Sequence, residues 1–155
     1  MTIITKQYVT ETAHIVRNAV SERCKYNIHG HSYTFEVGII GDINPKTGMV
    51  IDFKEFGPIK AYIDKFDHAM VLWASDFDYI LDFFTNNFKR VIIMSKNCTA
   101  ENMAKLIHRE LKAMLVEKDI PAQVQTVKVW ETATSCAIAI DSDDTDITEF
   151  MHDEN

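Results

Sequence analysis

Hydrophobic and polar positions alternate with period two at both ends of the chain and recur at helical spacing in between. From about Ile3 to His14 the alternation predicts a strand, with Tyr8, Thr10, Thr12 and His14 on one face. A polar loop follows over Ile15–Ile28, carrying Arg17, Arg23, Cys24 and Lys25. A second strand is expected from His29 to about Ile40. Its odd positions, His29, His31, Tyr33, Phe35, Val37 and Ile39, form an apolar row led by two imidazoles. Asp42–Gly48 has turn chemistry, with Pro45 and Gly48, and Met49–Phe53 is expected to resume as a short strand. A helix starts near Gly57, with Pro58 in its first turn, and ends at Asp67-His68. Trp73–Arg90 reads as a helical excursion, capped by Ser75, with Phe77, Ile80, Leu81, Phe84 and Phe88 as its stripe. Val91–Met94 is a short apolar strand. Thr99 then caps a long helix to about Lys118 that buries Met103, Leu106, Ile107, Leu111, Met114 and Leu115 and leaves His108 exposed. Strands at Val124–Thr132 and Cys136–Ile140 close the pattern. The expected fold is α+β, an antiparallel β-sheet with two main helices packed on one face.

A length of 155 residues suits one domain, placed at 1–140. The net charge of −7 comes mostly from the end of the chain. Seven of the 23 acidic residues fall in 141–155, an acidic C-terminal tail without Lys or Arg, and the remaining 16 balance 16 basic residues. Such a balance gives no nucleic-acid footprint. No apolar run is long enough to span a bilayer, and Met1–Lys6 lacks signal-peptide features, so a cytoplasmic protein is expected. Cys24, Cys98 and Cys136 are too few and too scattered for a disulfide framework. Cys98 and Cys136 read as small buried residues.

His29 and His31 lie on one face of a strand and can bind a metal ion from one side. His14 ends the neighbouring strand of the expected hairpin and can supply a third imidazole. Three protein ligands and an open position make a catalytic zinc site, whereas structural sites are closed by four. Cys24, between Arg23 and Lys25, is better placed as a base than as a ligand, because nearby positive charge favours the thiolate. In Asp67-His68 the acid can orient the imidazole for proton transfer, or the imidazole simply complements a helix C-terminus. Glu131 ends the apolar row Val127, Val129. Either that strand end is exposed, or the carboxylate meets a cationic or hydrogen-bonding group. His29-x-His31-x4-Glu36 matches half of a cupin metal motif, but Glu36 has the opposite strand parity and would point away.

Ala13-His14, Cys24-x4-His29-Gly30-His31-Ser32-Tyr33, Asn44-Pro45-x-Thr47-Gly48-Met49-Val50-x-Asp52-Phe53, Phe66-Asp67-His68, Thr99-Ala100-Glu101-Asn102 and Val129-Trp130-Glu131-Thr132 together resemble the 6-pyruvoyl-tetrahydropterin synthase / 6-carboxy-tetrahydropterin synthase family. The resemblance implies the tunnelling fold, in which subunits associate through their sheets into homo-oligomers, often a hexamer made of two trimers. It implies Zn2+ on His14, His29 and His31, Cys24 as the proton-abstracting thiol, and Asp67, His68 and Glu131 as relay residues. Glu131 would also anchor the pterin edge, and Thr99 would sit near the pterin. The implied substrate is 7,8-dihydroneopterin triphosphate. The carboxy branch, which releases acetaldehyde on the route to queuosine, is favoured by the short Cys–His loop. The pyruvoyl branch, which stops after triphosphate elimination, and a non-catalytic pterin-binding module are the alternatives. Arg17, Arg23 and Lys25 are candidate partners for the triphosphate. The excursion and the acidic tail lie outside the common pattern of the family.

Overall fold

The computed structural model describes residues 1–140. The acidic tail expected at 141–155 lies outside the described residues. The elements in chain order are β1 (Thr2–His14), α1 (Glu22–Tyr26), β2 (His29–Gly41), α2 (Gly57–Ile63), β3 (Ala69–Trp73), α3 (Asp78–Asn87), β4 (Val91–Met94), α4 (Ala100–Glu117), β5 (Gln123–Thr132) and β6 (Ser135–Ile140). Short 3-10 turns at Phe53–Phe56 and Asp64–Phe66 flank α2. The six strands form one sheet in the order β4-β3-β1-β2-β5-β6.

Four of these strands, β1, β2, β5 and β6, make the expected antiparallel sheet. Its core face is the predicted one. Tyr33, Phe35, Val37 and Ile39 of β2 and Val127 and Val129 of β5 are fully buried, and they pack against Ile59 and Ile63 of α2 and Met103, Leu106, Ile107 and Leu111 of α4. Two main helices thus cover one face, as period-two strands with one apolar side require. The buried threonines of β1 are satisfied internally: Thr10 and Thr12 share a hydrogen bond of 2.8 Å, and Thr12 also donates to the Phe66 carbonyl at 2.8 Å.

The sheet departs from a purely antiparallel one at the other edge. Ala69–Leu72 had no element assigned and Trp73 was expected to open the helical excursion, but Ala69–Trp73 forms β3, parallel to β1, and β4 is parallel to β3. The reason is two-sided burial. Ala69 and Val71 face the main core, while Met70 and Leu72 face a second cluster with Ile15, Val91 and Ile80, Leu81 and Phe84 of α3. A strand buried on both faces carries a continuous apolar run, which has no period to read. Helix α3 is therefore the crossover between two parallel strands, the connection such strands need. Ser75 does not cap it. The N-cap is Phe77, whose N–H donates to Asp76 Oδ1 at 2.8 Å.

Three further expectations are corrected. Met49–Phe53 is not a strand, because local side chains capture its backbone: Asp52 accepts from Lys54 N at 2.9 Å and starts a 3-10 turn. The loop after β1 contains the short helix α1. His108 is buried, at 6% exposure, on a helix whose buried stripe is wider than the predicted row. Thr99 caps α4 as expected, accepting from Asn102 N. No helix among the described residues is long and apolar enough to cross a membrane.

Candidate metal centre and its two clefts

The β1–β2 ladder places His14 opposite His29 and Thr12 opposite His31. Directly opposed side chains on one face approach to about 5 Å between Cβ atoms, so this register alone gathers three imidazoles. Their ring centroids are 4.5 Å (His14–His29), 5.4 Å (His14–His31) and 5.2 Å (His29–His31) apart. Glu131, from the end of β5, joins them. Ligand atoms of His14, His29, His31 and Glu131 all lie within 4.8 Å of one another. Of the two readings left open for Glu131, the hydrogen-bonded one holds. Its Oε1 is 3.2 Å from His14 Nε2, 3.4 Å from His31 Nε2 and 3.2 Å from the Tyr33 hydroxyl.

The hydrogen bonds around the cluster orient it toward a cation. His14 is fully buried, and its Nδ1 lies 2.8 Å from the Cys98 carbonyl. A carbonyl can only accept, so Nδ1 carries the proton and the neutral ring presents a lone pair at Nε2. His29 has the same arrangement, Nδ1 to the Asn27 carbonyl at 3.0 Å. At 3.2 Å the His14 Nε2 lone pair and the Glu131 carboxylate are two acceptors face to face, and only shared positive charge, a metal ion or a proton, satisfies both. When a proton is what they share, the hydrogen bond to His14, opposed by burial, holds the Glu131 carboxyl below the usual carboxylate range. Burial, offset by Glu131, lowers the pKa of His31, which favours the neutral imidazole a metal ligand needs. The residues fit a metal site. The carbonyls behind the ring nitrogens are the outer partners such sites use.

Tyr33 was read only as a core residue. Its ring does sit in the core row, but its hydroxyl reaches His14 (3.2 Å to Nδ1, 3.3 Å to Nε2) as well as Glu131. Burial, and then the Glu131 charge, push its pKa well up, so it stays protonated and donates to the carboxylate. Tyrosine in an apolar row is indistinguishable from phenylalanine until the end of the row is known to be polar.

The remaining predicted residues fall into two clefts on either side of the cluster. A cleft of about 300 Å³ is lined by Cys24, Thr99, Glu131 and Cys136 among others. Cys24, Thr99 and Glu131 are thus brought together. Cys136, expected to be buried, is exposed, whereas Cys98 is buried as expected. His68 lines a different cleft, of about 660 Å³, which also contains His31, Phe84, Lys89 and Arg90. His68 Nδ1 is 3.0 Å from Asp67 Oδ2, and its side chain is 75% exposed. Asp67 Oδ1 accepts from Glu11 N at 2.9 Å; that bond and the His68 contact lower its pKa. His31 borders this cleft, so the imidazole cluster stands between the two.

Two other sequence expectations are resolved here. Arg17 is not a free cation: Nε and Nη2 hold both oxygens of Asp76 at 3.0 and 2.9 Å. Glu36 does point away from the cluster, to the opposite face, where it pairs with Lys128 at 2.8 Å.

The comparisons agree with the geometry. Residues 3–141 match the family model described as 6-pyruvoyl tetrahydropterin synthase. The 6-carboxy-5,6,7,8-tetrahydropterin synthase of Helicobacter pylori J99 is 30% identical over 141 residues, covering 87% of this chain and 70% of the relative. The enzyme of that name from Aquifex aeolicus is 36% identical over 117 residues, 72% of each chain. Among solved structures, an uncharacterized protein of Wolinella succinogenes superposes with a TM-score of 0.72 at 17% identity over 91% of this chain and 98% of that one. The Caenorhabditis elegans 6-pyruvoyl tetrahydropterin synthase does so with 0.62 at 22% identity over 92% and 98%. At these identities the two structures speak for the fold.

Proposed function

The chain belongs to the 6-pyruvoyl tetrahydropterin synthase family, and from that membership we propose that it is a zinc-dependent 6-carboxy-5,6,7,8-tetrahydropterin synthase. Its substrates would be 7,8-dihydroneopterin triphosphate and one water molecule, and its products 6-carboxy-tetrahydropterin, acetaldehyde and triphosphate. The observation that carries the reading is the gathering of His14, His29, His31 and Glu131 beside a cleft that also holds Cys24 and Thr99. The carboxy product is favoured over the pyruvoyl one by the curated relatives, which carry that name at 30–36% identity.

His14, His29 and His31 would hold the zinc ion, which when bound supplies Lewis acidity to substrate oxygens. Glu131 is then free to turn from the imidazoles to the amino edge of the pterin, for which an ionised carboxylate is a suitable acceptor. Thr99, at the N-cap of α4, borders the same cleft. Cys24 removes the proton from the side-chain carbon next to a held hydroxyl, and triphosphate leaves by elimination. His68, oriented by Asp67, carries protons on the other side of the cluster. Because the dyad faces a separate cleft, a second copy of the chain is a natural source for the pair at any one site. A homo-oligomer, a hexamer of two trimers, accords with this, as do the exposed Ile138 and Ile140 on the edge strand β6. A cytoplasmic location and a place in queuosine biosynthesis complete the reading.

The test is incubation of the zinc-loaded protein with 7,8-dihydroneopterin triphosphate and mass analysis of the products. Acetaldehyde with 6-carboxy-tetrahydropterin is expected. Recovery of 6-pyruvoyl-tetrahydropterin assigns the other branch, and no released triphosphate overturns the lyase. Cys24→Ala should keep zinc and lose turnover, whereas His29→Ala should lose both.

A further inference from the structure

The segment that carries Cys24 has little of its own to hold it in place. Helix α1 is five residues long, buries no residue and has no side-chain cap. The position of Cys24 over its cleft therefore depends on polar ties to neighbouring elements. Two of them act on the carbonyls around it: Val16 N donates to Cys24 O, and Arg17 Nη1 donates to Lys25 O, both at 3.1 Å.

Arg17 is itself fixed from the far side. Its guanidinium makes the two-pronged contact with Asp76 and lies over the Phe77 ring, 5.7 Å from the centroid. The Asp76 side chain is 2% exposed and that of Arg17 is 17% exposed. The Arg17 backbone is gripped at both ends by the Asn97 amide, which accepts from Arg17 N at 3.1 Å and donates to Arg17 O. Asp76 and Phe77 form the turn into α3, the excursion that had no functional account. A buried ion pair is poor evidence for stability, since desolvation offsets much of its attraction. A two-pronged guanidinium–carboxylate contact does fix position and orientation.

We propose that Arg17 and Asp76 are positioning residues for Cys24, through which the β3–α3 turn sets the placement of the base loop over the substrate cleft. The inference rests on the reading of Cys24 as the base. It gives the excursion a role in the reaction: without Asp76, Arg17 loses the partner that aims its third nitrogen at the Lys25 carbonyl, and the loop is released at that point. Small displacements of a reacting group cost rate far more than binding.

The experiment compares full-length, zinc-loaded wild type with Asp76→Ala and Asp76→Asn. The first reading is the rate at which iodoacetamide alkylates Cys24, located by mass analysis because Cys136 is also exposed. We expect a severalfold rise for Asp76→Ala and a smaller one for Asp76→Asn, which keeps one acceptor for the guanidinium. Zinc content should not change, and buried Cys98 should stay unreactive, which separates loop release from general unfolding. The second reading is turnover: kcat should fall by on the order of a hundredfold with KM little changed. Wild-type alkylation of Cys24 in a folded Asp76→Ala protein overturns the proposal. If Asp76→Ala does not fold, Asp76→Asn decides in the same way. Alkylation needs no substrate, so a wild type without turnover would refute the lyase reading and still leave the positioning of Cys24 decided.

Discussion

Tyr33→Phe isolates what one hydroxyl contributes to the cluster. The ring is unaffected: Phe can keep the stacking on Phe35, 5.9 Å between centroids, and the edge contacts with His14 and His31 at 5.8 and 5.5 Å. No cavity forms, so the cost of several kcal/mol typical of Tyr or Phe truncation to Ala does not arise. What is lost is a donor to an ionised carboxylate. Hydrogen bonds to charged groups contribute about 1.5–3 kcal/mol. The Tyr33–Glu131 contact at 3.2 Å is longer than the ~2.7 Å common for a hydroxyl donor, so the low end of that range applies. Tyr33 is 0% exposed, and bulk water has no open path to replace the hydroxyl. We expect a loss of about 1.5 kcal/mol in urea unfolding of the metal-free protein. Zinc affinity should fall roughly tenfold in competition with a chromophoric chelator, as for other partners that orient metal ligands. Unchanged stability together with unchanged zinc affinity would refute the role given to the hydroxyl and, with it, the view that Glu131 is held in place by Tyr33.

Gly38 sits at the irregularity where β2 and β5 shift register, and a Cβ there would come within 2.4 Å of Thr126 Oγ1. Gly38→Ala should cost about 1–3 kcal/mol in chemical denaturation, and Thr126→Ala in the same chain should recover most of it; no recovery would mean that the close approach is not the cause. Thr99→Ala removes the acceptor for Asn102 N and should cost about 1 kcal/mol of stability, read as a lower urea midpoint. Glu36 is held below its ordinary value of 4.5 first by its hydrogen bond to Lys128 and also by Gln7. Its folded pKa is the depressed one, so its contribution is fully present above about pH 4.5 and disappears as the pH falls through the folded value. Glu36→Gln should therefore lower stability at pH 7 and flatten its loss on acidification below that point, and an unchanged stability–pH curve would discount the Lys128 pair.

The sequence by itself determined the parts of this protein that depend on local period. One face of β2 is apolar in strict alternation and one of α4 at helical spacing, so the burial of Phe35, Val37, Leu106 and Leu111 could be read directly. The three histidines were legible from strand parity: His29 and His31 lead the β2 row, His14 ends the same-facing row of β1, and an antiparallel hairpin brings the ends of its rows together. Tertiary structure decided whatever depends on a second layer or a distant partner. Strand β3 is recognisable only once α3 is known to cover its other face, and Asp52 took Met49–Phe53 out of the sheet by capturing a backbone N–H. His108 is buried although it stands outside the regular stripe. Glu131 could be marked as anomalous at the end of an apolar row, but that its partners are His14, His31 and Tyr33 follows from pairing β5 with β2. Arg17 and Asp76 are 59 positions apart, with nothing in either neighbourhood to announce the pair. Periodicity records which side of an element meets the core, whereas a polar contact between elements depends on the three-dimensional path that brings them together.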